Sequence, residues 1–281
     1  MPGLPRLAPI ACVILLLTGS AAAQRVERPV PVDLELVLAI DISGSIDEEE
    51  ARLQRQGYID AITDPEIIRA IRGGILRRIA VTYFEWSGDG YQDPVIGWTL
   101  IDGLETARAF AAELDSAPLG TGPWTSISDA IDFGARLFAG NGFEGTRRII
   151  DISGDGPNNT GGPVTPARDQ AVASGLTING LPIMNDRPTF SRIPMPNLDL
   201  YYRHCVIGGR GAFIVVAKDF RTFARAIRRK MILEIAGRAG GKGAIGATGL
   251  AQILRGTGKS RWVPPCDEGE KRFRGWIGED R

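Results

Sequence analysis

The chain has one histidine, His204, and three cysteines among 281 residues. A lone histidine excludes the histidine clusters of catalytic zinc sites, and no serine or cysteine partner is suggested for it. No G-x-S-x-G elbow is present. His204 reads instead as a residue of a short helix beside Cys205. Charge of one sign is also missing: Lys plus Arg and Asp plus Glu stand at 33 each. No overall field therefore draws the chain to nucleic acid or an anionic membrane. Past the first two dozen residues no apolar tract is long enough to span a bilayer, and no internal repeat is visible. What remains, 43% hydrophobic and 23% charged, suits an ordinary packed domain with extras.

The extras lie at the ends. Arg6 precedes the apolar run Ala8 to Leu17, and Ala21-Ala22-Ala23-Gln24 follows. A basic start, a short apolar run and an A-x-A site predict a secretory signal peptide over residues 1–23. The run is too short for a comfortable membrane anchor. The mature chain then starts at Gln24, in the periplasm or outside the cell. Two cysteines remain, Cys205 and Cys266. In an oxidising compartment an even count allows one disulfide, and two separate thiols, with Cys205 buried, are the alternative. Residues 24–31 read as an extended linker and 32–237 as the domain. Residues 238–281 form a tail that starts rich in glycine and ends with three aromatics and Cys266.

The domain is organised around Val32 to Asp47. Leu34 to Ile40 is apolar but for Glu35, the pattern of a buried central strand. It ends at Asp41-Ile42-Ser43-Gly44-Ser45, and a helix with acidic residues in its first turn follows. Strands then alternate with helices. Arg78 to Trp86 and Asp93 to Leu100 read as an antiparallel pair at the sheet edge, since Pro94 is poorly tolerated in a central strand. Arg147 to Ile152, the LTINGLPI run and Ala212 to Ala217 supply further strands. Met184 to Asn197 reads as an irregular insertion. The expected class is α/β, a doubly wound, mostly parallel sheet with helices on both faces and one antiparallel edge strand.

Asp41, Ser43 and Ser45 thus stand on a loop at the carboxyl end of a strand, where open α/β sheets bind ligands. All three carry oxygen donors suited to a hard cation. Taken singly, each could be a helix cap. Two later stretches complete a pattern: Thr125-Ser-Ile-Ser-Asp-Ala130-Ile131 before a helix, and Ser153-Gly154-Asp155-Gly156 after an apolar strand. Together they resemble the metal-ion-dependent adhesion site of von Willebrand factor A (vWA) domains, over roughly Val32 to Gly237. The YYRHCVIGGRGAF segment is similar to a secreted bacterial subgroup of these proteins (DUF1194-like). The resemblance implies Ser43, Ser45 and Thr125 as hydroxyl ligands, with Asp41 and Asp155 supplying negative charge. The ion implied is Mg²⁺, or Mn²⁺ or Ca²⁺. Ser153 replaces the family's usual threonine, and Gly154 is inserted before Asp155.

Other motifs fail. Asp151 to Gly156 opens like an EF-hand loop, but Gly162 stands where its last glutamate belongs. Gly258-Lys259-Ser260 lacks the first glycine of a phosphate loop and a preceding strand. Asn158-Asn159-Thr160 fits an N-glycosylation acceptor. The function implied is an exported binding module that is not an enzyme. It would recognise a protein partner whose Asp or Glu carboxylate reaches the metal. A metal-dependent hydrolase and plain surface docking without metal are the alternatives.

Overall fold

The computed structural model describes residues 28–184, 195–237 and 262–278. The expected signal peptide, most of the expected insertion over 184–197, and the Gly-rich run 238–261 lie outside the described residues.

Five strands form the main sheet. They are β2 (Glu35–Asp41), β3 (Ile79–Trp86), β4 (Gln92–Ile101), β6 (Arg148–Gly154) and β7 (Thr177–Pro182), in the order β4-β3-β2-β6-β7. All neighbours run parallel except β3 and β4, and β4 with Pro94 is the antiparallel edge strand. A separate parallel pair, β1 (Val30–Val32) with β5 (Phe143–Gly145), lies outside this sheet. Glu35 at the start of β2 fastens that pair, accepting from Asn141 Nδ2 at 2.5 Å and Gly145 N at 2.6 Å.

β2 is buried along its whole length, because side chains alternate across the sheet and both faces are covered. Leu36, Leu38 and Ile40 pack with α1 (Glu48–Ile62), α2 (Pro65–Arg72), α3 (Leu104–Ser116) and α7 (Phe220–Ile235). Val37 and Ala39 pack on the opposite side with α4 (Ile127–Arg136), α5 (Val164–Ala173) and the aromatic pair Tyr201 and Tyr202. That pair spans the junction of a short α6 (Leu198–Tyr201) and a π-helical turn, Tyr202–Val206. The helix starts are set locally. Asp47 and Glu50 form a reciprocal capping box on α1, and Asp64 caps α2 just before Pro65.

Ala212–Ala217 departs from the expected strand. It runs alongside β7 but makes only isolated bridges, Gly180 with Ile214 and Ile183 with Ala217. Its bonds alternate regularly: Gly180 N to Phe213 O, Val215 N to Gly180 O, Ala217 N to Pro182 O, Met184 N to Ala217 O. The missing rung is the one Pro182 would donate, and proline has no N–H to give.

The core also holds charge. Lys230 on α7 is fully buried and pairs with Asp151 on β6 and, at 2.6 Å, with Glu234. Asn179 on β7 donates to Glu234 at 2.9 Å. Asp151, the would-be first EF-hand ligand, is therefore a partner in the core.

The chain closes with α8 (Glu268–Ile277), tied back by a disulfide between Cys205 and Cys266.

Candidate metal centre

β2 and β6 are neighbours, so the loops after them leave the same edge of the sheet side by side. The chain beyond Asp41 turns at once. Ser43 N donates to Asp41 Oδ1 at 2.8 Å, Ile46 N returns to Ser43 O, and Gln54 of α1 holds the Asp41 carbonyl at 2.9 Å. Side chains then link across the loops. Ser43 Oγ and Ser45 Oγ are 3.1 Å apart, and Ser45 Oγ donates to Asp155 Oδ1 at 2.6 Å. Asp41, Ser43 and Asp155 are buried, and Ser45 is half-buried beside exposed Gly44.

Thr125 arrives on the 117–125 loop. A buried ion pair anchors its first half: Arg55 of α1 with Glu85 of β3. Arg55 also donates to the carbonyls of Ala117 and Pro118, at 2.5 and 3.0 Å, and Gly120 N donates to Glu85 at 3.2 Å. The second half is stitched to the Ser43 loop by a parallel bridge between Ser43 and Gly122. Trp124 then takes φ of +60°, a left-handed conformation costing about 1–3 kcal/mol for a bulky residue. Thr125 is buried, and its backbone is held at both ends by Asn159, whose Oδ1 accepts from Thr125 N and whose N donates to Thr125 O. Its Oγ1 stands 3.7 Å from where a Cβ on Gly156 would lie. Hydrogen bonds thus join Asp41, Ser43, Ser45 and Asp155 directly, and Thr125 is brought against the turn that follows Asp155.

The electrostatics are those of a group in want of positive charge. Burial, and secondarily the nearby Asp155 carboxylate, push the Asp41 pKa up to about 8, against hydrogen bonds from Ser43 and the Asp155 backbone. Among the described residues no lysine or arginine pairs with Asp41. Its Oδ2 is buried without a hydrogen-bond partner, a costly arrangement for a carboxylate. Hydroxyls and carboxylates converging with one carboxylate oxygen left over fit a hard divalent ion such as Mg²⁺, Mn²⁺ or Ca²⁺. Among the described residues no cluster of three or more His, Cys, Asp or Glu could hold a metal.

The inserted Gly154 has a steric reason. A Cβ there would stand 2.7 Å from Asp41 Oδ2 and 2.8 Å from the Tyr202 hydroxyl. The Tyr202 hydroxyl is itself buried without a partner, and burial and the charges of Asp41 and Asp155 raise its pKa well above the usual phenol value. Tyr202, Arg55, Glu85 and Asn158 all shape the site without any local motif to announce them. Asn158, the glycosylation candidate, is fully buried with its amide engaged. His204 is exposed on the π-helical turn, and its carbonyl accepts from Arg168.

Known proteins give the following likenesses. The family described as "Protein of unknown function (DUF1194)" matches residues 31–239. Proximal thread matrix protein 1 from the mussel byssus aligns with a TM-score of 0.56 at 13% identity, over 75% of this chain and 49% of that one. A structure of the same protein "with zinc occupied MIDAS motif" aligns at 0.51 and 13% identity, over 74% and 49%. The pilus adhesin SpaC from Lactobacillus rhamnosus GG aligns at 0.50 and 14% identity, over 74% of this chain and 31% of that one. The chain thus spans about half the length of the mussel protein's chain and about a third of the adhesin's. At these identities the likeness is one of fold. No curated protein sequence matches.

Proposed function

The chain belongs to the DUF1194 family, and from that premise we propose that its vWA-type fold works as an exported binding module. Ser43, Ser45, Thr125, Asp41 and Asp155 would hold one divalent cation, and the partner would be a protein offering an Asp or Glu carboxylate. The observation that carries this reading is the buried, partnerless Oδ2 of Asp41 amid oxygen donors from two strand-end loops. A bound cation supplies a positive anchor that serine and threonine hydroxyls leave largely unneutralised, which favours a carboxylate over neutral donors. The zinc-occupied motif of the mussel protein supports divalent metal use in this fold.

Export is supported by the A-x-A run ending at Ala23 and by the Cys205–Cys266 disulfide, a bond kept in oxidising compartments. No helix among the described residues is long and apolar enough to cross a membrane. N-terminal sequencing of protein recovered outside the cytoplasm is expected to begin at Gln24. Intact residues 1–23 on membrane-bound protein would make the segment an anchor instead.

The central test is partner capture from an envelope extract by wild type, by wild type in excess chelator, and by Ser43→Ala. Capture by untreated wild type alone is expected. Equal capture in all three refutes a metal-bridged interface, and turnover of a hydrolysable substrate only in the metal-loaded wild type moves the site to catalysis.

A further inference from the structure

Residue Asn158 joins the metal loops to the far end of the chain. It lies three residues after Asp155 and is fully buried. Its Oδ1 accepts from Ser128 N at 3.0 Å, in the first turn of α4 just after Thr125. Its Nδ2 donates to the carbonyls of Thr160 and Gly162, both at 3.1 Å, and to Glu270 Oε1 of α8 at 2.8 Å. One amide therefore fastens the Asp155 loop to the Thr125 loop and both to the C-terminal helix.

Four further observations place α8 on the same spot. Gly269 sits so close that a Cβ on it would lie 2.0 Å from the Asn158 carbonyl oxygen. Phe273 meets Trp124, the strained residue before Thr125, edge to face with ring centroids 4.6 Å apart. The Tyr201 hydroxyl accepts from Asn158 N at 3.2 Å and reaches the Cys266 carbonyl at 3.4 Å. The disulfide then ties the start of α8 to Cys205, 61 residues earlier and fully buried.

A helix of ten residues does not hold its shape alone in water. Paired side chains four apart, Arg272 with Glu268 and Lys271 with Asp267, add only a few tenths of a kcal/mol each. The disulfide and the docking contacts must therefore hold α8 in place. Partners that orient ligands in this way act strongly on the site they support, by about 10–100-fold in metal affinity when removed.

We propose that the disulfide-tethered helix α8 is a working part of the metal centre. Glu270 and Asn158 act as positioning residues that hold the Asp155 and Thr125 loops at their binding separation, so freeing α8 weakens cation binding. This rests on the metal reading above. It makes the Cys205–Cys266 bond a control on affinity, since reduction unfastens the helix without touching any residue that would hold the ion.

The experiment is calorimetric titration of the full mature chain with Mn²⁺, beside thermal unfolding and hydrogen exchange over residues 123–128 and 155–160. The variants are Gly269→Ala, Glu270→Ala, Glu270→Gln and the double change Cys205→Ser with Cys266→Ser. Gly269→Ala and the double-serine variant are expected to bind about tenfold or more weakly and to exchange faster in both segments. Glu270→Ala should also bind more weakly. Glu270→Gln should match wild type, because its amide oxygen still accepts from Asn158. Wild-type affinity in the released variants, beside a wild type that binds, overturns the proposal and leaves α8 a passive appendage. Tighter binding after release also overturns it and makes α8 a lid. An oxidised wild type that binds no cation sinks the metal reading, and this proposal with it.

Discussion

The raised pKa of Asp41 sets a proton and a cation in competition for the same carboxyl group. Burial, with Asp155 adding repulsion, puts its pKa at about 8 in the metal-free protein, so at pH 7 the folded site mostly keeps the proton. Cation binding at pH 7 should therefore release close to one proton, and affinity should climb with pH until about 8 and then level. Calorimetry in buffers of different ionisation enthalpy measures this, and a heat independent of buffer refutes it. The sign for stability is opposite. The folded pKa lies above the unfolded value of 3.8, so the metal-free fold loses stability as pH rises between them, and Asp41→Asn should flatten that slope. The second residue under strain of charge is Asp151, pushed to about 7 by burial and then by Glu234, with Lys230 opposing. Lys230→Met leaves two carboxyls in the core without their cation, which should cost about 3–5 kcal/mol at pH 8. The loss should shrink at pH 5, where a carboxyl can take up a proton. Urea unfolding at both values tests it, and a variant as stable as wild type at pH 8 contradicts it.

At the scale of elements, what could be read from sequence was what repeats locally. The all-apolar β2, the acidic first turn of α1, the Pro94 edge strand and the D-x-S-x-S loop each declare themselves within a few residues. Asp41, Ser43, Ser45, Thr125 and Asp155 also lie in short motifs at the end of a strand or the start of a helix, and the structure brings the loops that carry them together. What could not be read depends on chain segments meeting. Lys230 looks like any polar residue of a long helix, yet it is fully buried on Asp151. Arg55 and Glu85 are 30 residues apart and meet only through the fold. Ala212–Ala217 has a strand's composition, but its continuity was decided by Pro182 on its neighbour. The Arg55–Glu85 anchor gives a prediction at this scale. Glu85→Gln leaves Arg55 buried without its counter-charge and loosens the 117–125 loop, so it should cost about 3–5 kcal/mol. Hydrogen exchange should rise first in residues 117–125, and unchanged protection there shows that the loop is held by other means.

For the whole molecule the two ends of the sheet do different work. The core clusters lie on either face of β2 and the Lys230 group is buried among its own counter-charges, whereas the loop end brings the Asp41 and Asp155 carboxyls close enough to repel. An ion that binds the folded form only must then stabilise the entire chain by mass action. At a concentration about 100 times its Kd the gain is about 2.7 kcal/mol. For a domain of this size that gain converts to a rise of roughly 5–10 °C in Tm. Scanning calorimetry of the oxidised mature chain in Mn²⁺ and in chelator should show the shift in wild type. Ser43→Ala should unfold near the chelated wild type in both conditions, because the serine supports the site and not the core. Gly154→Ala is the sharper case. Its methyl group would press on Asp41 and Tyr202, so its Tm should fall in chelator by overpacking and gain little from Mn²⁺. A full Mn²⁺ shift in Gly154→Ala would mean that Asp41 can move aside and still serve the ion, and the steric account of the inserted glycine would fail.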